Sequence, residues 1–223
     1  MIAFLSDIHG NFAALQAVLA YLDAHDITEV YSIGDVAGYY PQINECCMAL
    51  EERNIPNLMG NHDRYLVEHI SCGRSRSVDF AIDYQHEHIQ PEHLMWLSAS
   101  LPELRTDRFY ACHGGPLDLE DQYLREPPYA LDAATGLFVS GHTHVPVLYE
   151  EGSLRYLNPG SVGQPRDGDP RASFATLSKD GQLEVHRLSY DIQATIQACQ
   201  EAGYPQRMWE CLLDGLPIGA KSS

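Results

Sequence analysis

The chain has 223 residues, a length that fits one or two domains and allows a sizeable buried core. Its 31 acidic and 14 basic side chains give a formal net charge of −17. This charge argues against stable binding to nucleic acid or anionic lipid, because those partners favour a basic surface.

The first residues are typical of a strand rather than a signal peptide, because residues 1–7 lack a basic start and their apolar run stops at Asp7. No apolar stretch approaches the roughly 18 residues of a membrane span. The six cysteines show no Cys-x-x-Cys spacing, which predicts reduced thiols that mostly pack in the interior. We therefore expect a cytoplasmic protein.

Apolar spacing near the start of the chain predicts alternating strands and helices. Residues 2–6 and 30–33 are short apolar runs typical of buried strands. Apolar residues three and four apart follow each run, first over 12–22 and then beyond Pro41. Such alternation predicts a parallel sheet with helices packed on it.

The rest of the chain divides into a helical part, a strand-rich part and a final helical part. Residues 61–100 have helical spacing, interrupted near Cys72 and at Pro91. Six short apolar runs then predict strands, at 109–112, 137–140, 145–149, 154–157, 174–177 and 183–188. Helical spacing returns over 191–215. We predict a single domain, 1–223, in which two sheets face each other.

Five short segments place metal-ligand side chains beside glycine or at the ends of apolar runs. They are Asp7-Ile8-His9, Gly34-Asp35, Gly60-Asn61-His62-Asp63, Cys112-His113-Gly114-Gly115 and Gly141-His142-Thr143-His144. Asp-x-His and Gly-Asp are weak signals alone, whereas two imidazoles at one strand end are a stronger signal. Loops beyond the carboxyl ends of strands converge at one edge of an α/β sheet, so these segments are expected to meet.

The donor atoms of these segments suit a particular group of metals. Carboxylate, amide oxygen and imidazole, without thiolate, favour Mn²⁺, Fe²⁺, Co²⁺, Ni²⁺ or Zn²⁺ over a Cys-rich structural zinc site. Two such ions roughly 3.5–4 Å apart can hold a hydroxide and clamp phosphoryl oxygens for in-line attack. A departing alkoxide needs a proton, which an imidazolium such as His62 is suited to deliver.

The ordered set of segments, from Asp7 to His144, resembles the calcineurin-like metallophosphoesterase superfamily. The resemblance implies an α/β fold built as a four-layer α/β/β/α sandwich, with two mixed sheets, flanking helices and a dinuclear metal centre. It implies ligands for one metal from Asp7, His9 and His144, ligands for the other from Asn61, His113 and His142, and Asp35 as the bridge. It further implies that His62 is a general acid outside the coordination sphere and that Asp63 orients it.

Structural explanations exist for the same residues. Side chains such as those of Asp7, Asp35 and Asn61 also commonly cap helices or stabilise turns after strands. For His113, His142 and His144, the alternative to metal binding is that each histidine has its own separate hydrogen-bond partners. The histidines outside the segments are predicted to be solvated, at His25, His69, His86, His88, His93 and His186. Cys112 is predicted to pack in the core, because it faces the other side of its strand from His113.

The motifs also bear on the substrate. Protein phosphatases of this superfamily carry one arginine after the bridging aspartate and another just before the Gly-Asn-His motif. Both arginines are absent from residues 34–39 and 59–63, which argues against a protein phosphatase. Residues 38–41 and 158–166 resemble a compact prokaryotic phosphodiesterase-like branch, which implies a small phosphodiester or phosphomonoester as substrate.

Four arginines are candidates for contacts with such a substrate. Arg166 and Arg171 lie in a segment rich in Gly, Pro and Asp, which either orients a phosphate through forked contacts or forms a rigid surface turn. Arg74 and Arg76 lie in the break at 71–77, where they are either part of a lid or solvated.

The sequence therefore favours a phosphoesterase that uses two divalent metal ions, with manganese among the candidates, and acts by attack of metal-bound hydroxide. A dinucleoside polyphosphatase, which residues 112–115 also resemble, is one alternative. A protein phosphatase-like hydrolase and a non-catalytic scaffold are the others. The presence of His62 and all seven ligand types favours an enzyme over a scaffold.

Overall fold

Within residues 1–126 and 136–220, which the computed structural model describes, nine strands form two mixed sheets. The first sheet has the spatial order β2 (Glu29–Ser32), β1 (Ile2–Leu5), β8 (Ala172–Leu177) and β9 (Leu183–Leu188). Strand β1 pairs in parallel with β2 and antiparallel with β8. The parallel pair leaves the ends of β1 and β2 side by side.

The second sheet has three central parallel strands and two antiparallel edge strands. Its spatial order is β3 (Leu104–Arg105), β4 (Tyr110–Ala111), β5 (Leu137–Val139), β7 (Leu154–Asn158) and β6 (Val147–Glu151). Strands β4, β5 and β7 run parallel to one another, whereas β3 and β6 run antiparallel to their neighbours.

Helices connect or follow these strands. They are α1 (Phe12–Ala24), α2 (Ile43–Glu52), α3 (Asn61–Glu68), α4 (Arg76–His88), α5 (Pro91–Ser98) and α6 (Ile192–Glu201), followed by 3₁₀ turns at Gln206–Met208 and Glu210–Leu213. Side chains that accept backbone N–H groups begin three of the helices, namely Asn11, Ser75 and Asp191. Proline begins α5, where no backbone donor is required.

Strand β1 separates two apolar layers. Ala3 and Leu5 pack with the helices, while Ile2 and Phe4 pack with residues of the second sheet. The Phe4 ring meets Phe109 edge to face, with the ring centroids 5.0 Å apart. All four β1 side chains are fully buried, and each large one stabilises the fold by roughly 1.5–3 kcal/mol. The two sheets are thereby held face to face.

The other face of the second sheet carries a separate apolar cluster. Cys112 packs there with Tyr110, Phe138 and Tyr156, and Leu124 covers the cluster. The prediction that Cys112 is a core residue is confirmed. All six cysteines are free, which agrees with the predicted reduced state.

The predicted α/β fold with two mixed sheets and flanking helices is confirmed, and so are the interruptions between α3, α4 and α5. Residues 57–59, which precede the Gly60-Asn61-His62-Asp63 segment, make isolated bridges through Asn57 and Leu58 instead of a regular strand. The short edge strand β3 carries no apolar signal and was not predicted.

Two histidines differ from their predicted solvated positions. His93 is only 7% exposed, because its Nδ1 atom lies 3.0 Å from Glu51 Oε1. His186 is half-buried, since its ring stacks on Phe174 and its Nε2 atom lies 2.8 Å from the Thr176 hydroxyl. Among the residues with described structure, no helix combines the length and apolar character needed to cross a membrane.

Candidate metal centre

The seven predicted ligands lie together where strands of both sheets end. Asp7 and His9 follow β1, and Asp35 follows β2. Asn61 begins α3, and the remaining three follow β4 and β5. All seven are buried, with no more than 5% of any residue exposed, at Asp7, His9, Asp35, Asn61, His113, His142 and His144. The two sheets therefore meet at a polar site enclosed by protein.

The backbone at this site adopts an unusual conformation. Positive φ angles between 52° and 65° occur at Asp7, His9, Asp35, His142 and His144. Residues with side chains rarely adopt this left-handed region, and each such residue costs on the order of 1–3 kcal/mol unless its surroundings compensate. Strain concentrated at five residues of one cluster is typical of a functional site.

Three side chains form a first group of donor atoms. His144 Nε2 lies 3.2 Å from Asp7 Oδ1 and 3.1 Å from His9 Nε2. His9 Nε2 lies 3.7 Å from Asp7 Oδ1. One carboxylate oxygen and two imidazole nitrogens are thus close enough to contact one ion.

Asp35 connects this group to a second one. Its Oδ2 atom lies 3.7 Å from His9 Nε2 and 3.3 Å from His113 Nε2. Asp35, His113 and His142 offer three donor atoms that all lie within 4.8 Å of one another. The geometry therefore places Asp35 between the two groups.

Hydrogen bonds to backbone carbonyls fix the orientation of three imidazoles. The Nδ1 atoms of His9, His113 and His144 lie 2.7, 2.7 and 2.6 Å from the carbonyl oxygens of Ala37, Ile33 and Gln164. Carbonyl oxygens only accept, so each Nδ1 must carry the proton. With Nδ1–H donated, a neutral ring directs the Nε2 lone pair to the centre, as metal-binding histidines do.

Five donor atoms of the cluster are buried without any hydrogen-bond partner among the described residues. They are Asp7 Oδ1, Asp35 Oδ2, Asn61 Oδ1, His113 Nε2 and His142 Nε2. A buried polar atom without a partner is destabilising, and it is therefore rare in folded proteins. Carboxylate, amide and imidazole atoms of this kind are metal ligands, so the residues present fit divalent metal ions.

Without a metal, the centre carries a strong charge pair. Burial opposes charge on both partners, yet attraction to Asp35 raises the pKa of His113 to about 10. Attraction to His113 in turn holds the pKa of Asp35 well below its usual value, although burial opposes this shift too. The metal-free protein therefore holds a protonated His113 near neutral pH.

Metal binding near neutral pH is expected to release a proton from His113. The ring must lose its Nε2 proton before that atom can bind an ion, so affinity should rise with pH toward the pKa of about 10. Titration calorimetry of a divalent metal in two buffers of different ionisation enthalpy measures the released protons. Binding heats that are equal in both buffers would contradict this prediction.

Asp63, which the resemblance implies orients His62, has its hydrogen-bond partners elsewhere. The Asp63 carboxylate accepts hydrogen bonds from the backbone N–H groups of Asp35, Ala37 and Gly60, and from the side chain of Asn57. Burial and the charge of Asp35 raise the pKa of Asp63 to about 6. Asp63 thus holds the loop that carries Asp35 and does not contact the ring beside it in sequence.

His62 also belongs to the cluster, because it forms a further group of three possible donor atoms with His9 and Asp35, all within 4.8 Å of one another. Its ring centroid is 4.8 Å from those of both His9 and Tyr39. Burial lowers the pKa of His62 to about 3, so the ring is neutral in the metal-free protein. The sequence predicted an imidazolium here, and burial of the ring is the reason for the difference.

Gln85 and Tyr39 are functional candidates that the sequence did not reveal. The buried amide of Gln85 accepts from Gly38 N–H and donates to the carbonyl oxygens of Gly38 and Tyr40. These bonds fix Tyr39, whose ring contacts His9 and His62. Only glycine fits at position 38, since a Cβ atom there would collide with His62 Nδ1. A lone glutamine on a helix carries no sequence signal for this role.

A family model for the calcineurin-like phosphoesterase superfamily domain matches residues 1–182. The chain belongs to this superfamily. Its members are metal-dependent phosphoesterases, which agrees with the buried Asp and His groups. The resemblance inferred from the five sequence segments is therefore confirmed.

Individual members of the superfamily are similar over most of the chain. An uncharacterized protein of Methanocaldococcus jannaschii is 33% identical, over 96% of this chain and 98% of its own length. The phosphodiesterase YfcE of Escherichia coli is 29% identical, over 79% of this chain and 86% of YfcE. The crystal structure of a metallophosphoesterase from Sphaerobacter thermophilus gives a TM-score of 0.84 at 32% identity, covering 96% and 98% of the two chains.

The structure places the two candidate substrate arginines of this phosphoesterase differently. Arg166 donates hydrogen bonds to the hydroxyls of Tyr39 and Tyr123 and to Gln164 Oε1, beside the cluster. Arg171 is exposed and binds both carboxylate oxygens of Asp169. Both arginines therefore have partners, but only those of Arg166 include residues that touch the cluster.

A cavity of about 240 Å³ opens beside the candidate metal centre. Asn61, His62 and His142 form its inner wall. The other lining residues are Tyr39, Tyr65, Cys72, Arg74, Ser75, Val78 and Tyr123. The cavity therefore gives a small molecule access to His62 and to two predicted ligands.

Proposed function

We propose that this phosphoesterase hydrolyses small phosphodiesters or phosphomonoesters at a two-metal centre. The observation that carries the proposal is the adjacent set of donor groups around Asp7 and Asp35, with five buried donor atoms that have no hydrogen-bond partner among the described residues. The 29% identity to a phosphodiesterase, YfcE, supports phosphodiesters as the first class to test.

The family resemblance implies how the ligands divide, and the donor groups of Asp7, His9 and His144 and of Asp35, His113 and His142 support that division. Asp7, His9 and His144 would hold one ion, Asn61, His113 and His142 would hold the other, and Asp35 would contact both. Ions bound there would acidify water and polarise phosphoryl oxygens. Mn²⁺, Fe²⁺, Co²⁺, Ni²⁺ and Zn²⁺ all suit these donors.

His62 is placed to protonate the leaving oxygen of the ester. Its ring lines the cavity and its Nδ1 atom has no hydrogen-bond partner among the described residues. Since burial lowers its pKa to about 3, the ring needs a nearby negative charge to hold a proton at neutral pH. A bound phosphate would add such a charge, whereas bound metal ions would oppose it, so we expect His62 to take up its proton only while the ester is bound.

Arg166 is the better placed of the two arginines to bind the scissile phosphate. Its hydrogen-bond partners, Gln164, Tyr39 and Tyr123, are all neutral, and no ion pair to a carboxylate is seen in the described parts of the chain. A largely buried guanidinium without a carboxylate partner favours an anionic ligand, and its planar fork matches phosphate oxygens.

Replacing Arg166 with methionine is expected to raise KM by about tenfold or more, because a charge-assisted contact to phosphate is lost. Arg171→Met should have a much smaller effect, since Asp169 already binds that guanidinium. Steady-state kinetics of both variants on one substrate make the comparison. A larger effect of Arg171→Met would reverse the assignment.

Turnover of bis(p-nitrophenyl) phosphate and p-nitrophenyl phosphate by the metal-loaded protein tests the proposed function. Loading should be repeated with Mn²⁺, Fe²⁺, Co²⁺, Ni²⁺ and Zn²⁺ because the donors suit all five. We expect metal-dependent release of p-nitrophenol that a chelator stops. No release with any of these metals would contradict the proposal and favour a non-catalytic role.

A further inference from the structure

Arg74 lines the cavity beside the candidate metal centre, at the side formed by the α3–α4 connection, whereas Arg166 is not one of the lining residues. Arg74 donates hydrogen bonds to the Tyr65 hydroxyl at 3.0 Å and to Asp121 Oδ1 at 2.9 Å. Its Nη2 atom also lies 2.7 Å from Asp121 Oδ2. The guanidinium is therefore held over the cavity by a carboxylate from the loop that follows β4.

Asp121 also reaches the metal centre. Its Oδ1 atom lies 3.2 Å from His142 Nε2, a donor atom without a hydrogen-bond partner. The same carboxylate thus contacts Arg74 on one side and a predicted metal ligand on the other. An anionic group of a bound ligand would take the position of this carboxylate, between Arg74 and His142.

The pair between Arg74 and Asp121 is accessible to solvent. The Arg74 side chain is 57% exposed and the Asp121 side chain is 24% exposed. Ion pairs exposed to this degree contribute little to stability, so another anion can replace Asp121 at small cost. Arg166 differs, since no ion pair is seen for it in the described residues.

We propose that Arg74 recognises a second anionic group of the substrate, one that flanks the scissile phosphate. This group displaces the Asp121 carboxylate from Arg74 when the substrate binds. This inference rests on the proposed function and narrows its substrate class to small phosphate esters that carry a further phosphate or carboxylate.

Two chromogenic phosphodiesters provide a matched pair of substrates. Thymidine 5′-(p-nitrophenyl phosphate) has no further anionic group, and its 3′-phosphorylated form has one. For the metal-loaded wild type, we expect kcat/KM to be about tenfold higher for the 3′-phosphorylated form, through KM. Arg74→Met should bring this ratio close to one. Asp121→Asn should raise the ratio, because it removes the competing charge.

Arg76 provides the control, since it is an exposed arginine two residues away that does not line the cavity. Arg76→Met should keep the wild-type ratio. A merely structural tie between Arg74 and Asp121 predicts that Arg74→Met and Asp121→Asn impair both substrates equally. A wild-type ratio near one, an unchanged ratio in Arg74→Met, or a lowered ratio in Asp121→Asn would each overturn the inference.

A binding measurement separates this inference from the proposed function. Calorimetry compares thymidine 3′,5′-bisphosphate with thymidine 5′-phosphate in the wild type and in Arg74→Met. Tighter binding of the bisphosphate that is lost in Arg74→Met supports the recognition role even if neither ester is hydrolysed, in which case only the proposed function fails. Equal affinities in the wild type overturn the inference even if both esters are hydrolysed.

Discussion

Asp35→Asn is expected to lower turnover by about 10³-fold or more, because metal ions supply several kcal/mol of transition-state stabilisation and each 1.36 kcal/mol is tenfold in rate. Asp35 Oδ2 faces both His9 and His113, so its loss affects both donor groups. Asparagine can keep the other contact of Asp35, the hydrogen bond that Oδ1 accepts from His62 N–H. The variant therefore tests the role of the Asp35 Oδ2 atom.

Metal analysis should accompany the kinetics of Asp35→Asn. We expect the purified variant to hold fewer ions per chain than the wild type under the same loading conditions. Asp23→Asn is the matched control, since Asp23 is an exposed aspartate paired with Arg53 far from any predicted ligand in sequence. Wild-type turnover in Asp35→Asn would mean that Asp35 does not connect the two donor groups.

His62→Ala is expected to separate substrates by their leaving groups. A general acid contributes typically 10²–10⁴-fold when the leaving oxygen is basic, so turnover of an alkyl phosphodiester should fall by about that factor. A p-nitrophenyl ester leaves without protonation, and its turnover should fall far less. The family resemblance implies that His62 is not a metal ligand, so the metal content should stay at the wild-type value. A loss of metal would mean that His62 is a ligand together with His9 and Asp35.

His25→Ala is the control for this experiment, because His25 is exposed and hydrogen-bonds only within its own helix end. Rates are compared for the alkyl and aryl esters at the same metal loading. An equal loss on both substrates would show that His62 positions other groups and does not donate the proton. A wild-type rate on the alkyl ester would exclude both roles.

The clustering of the seven predicted ligands was predictable because the chain places most of these polar residues directly after apolar strands. Asp7 follows β1 and Asp35 follows its parallel neighbour β2 within a few residues, so sheet topology alone gathers these two. Asn61 was also predicted, although the run before it forms only isolated bridges. Short spacing between strand and ligand leaves the loops little freedom to separate these residues.

The role of Asp63 was not predictable from its neighbour in sequence. Consecutive residues on a helix point in different directions, so His62 and Asp63 at the start of α3 do not face each other. Asp63 turns back to backbone groups of the β2 loop, at Asp35 and Ala37. Only the packing of α3 against that loop decides which partner the carboxylate meets.

Contacts between distant segments account for the other differences. Arg166 and Arg171 are five residues apart in similar sequence surroundings, yet Arg166 meets Tyr39 while Arg171 meets Asp169. His93 is buried because α5 packs near Glu51 of α2. Such pairings depend on tertiary structure, and no local periodicity encodes them.

Anomalous diffraction from crystals grown with Mn²⁺ tests the two-metal proposal most directly. We expect two peaks about 3.5–4 Å apart, with Asp35 in contact with both ions. His144 should contact the first ion and His113 the second. A single peak at saturating Mn²⁺, or two peaks that Asp35 does not join, would contradict the account.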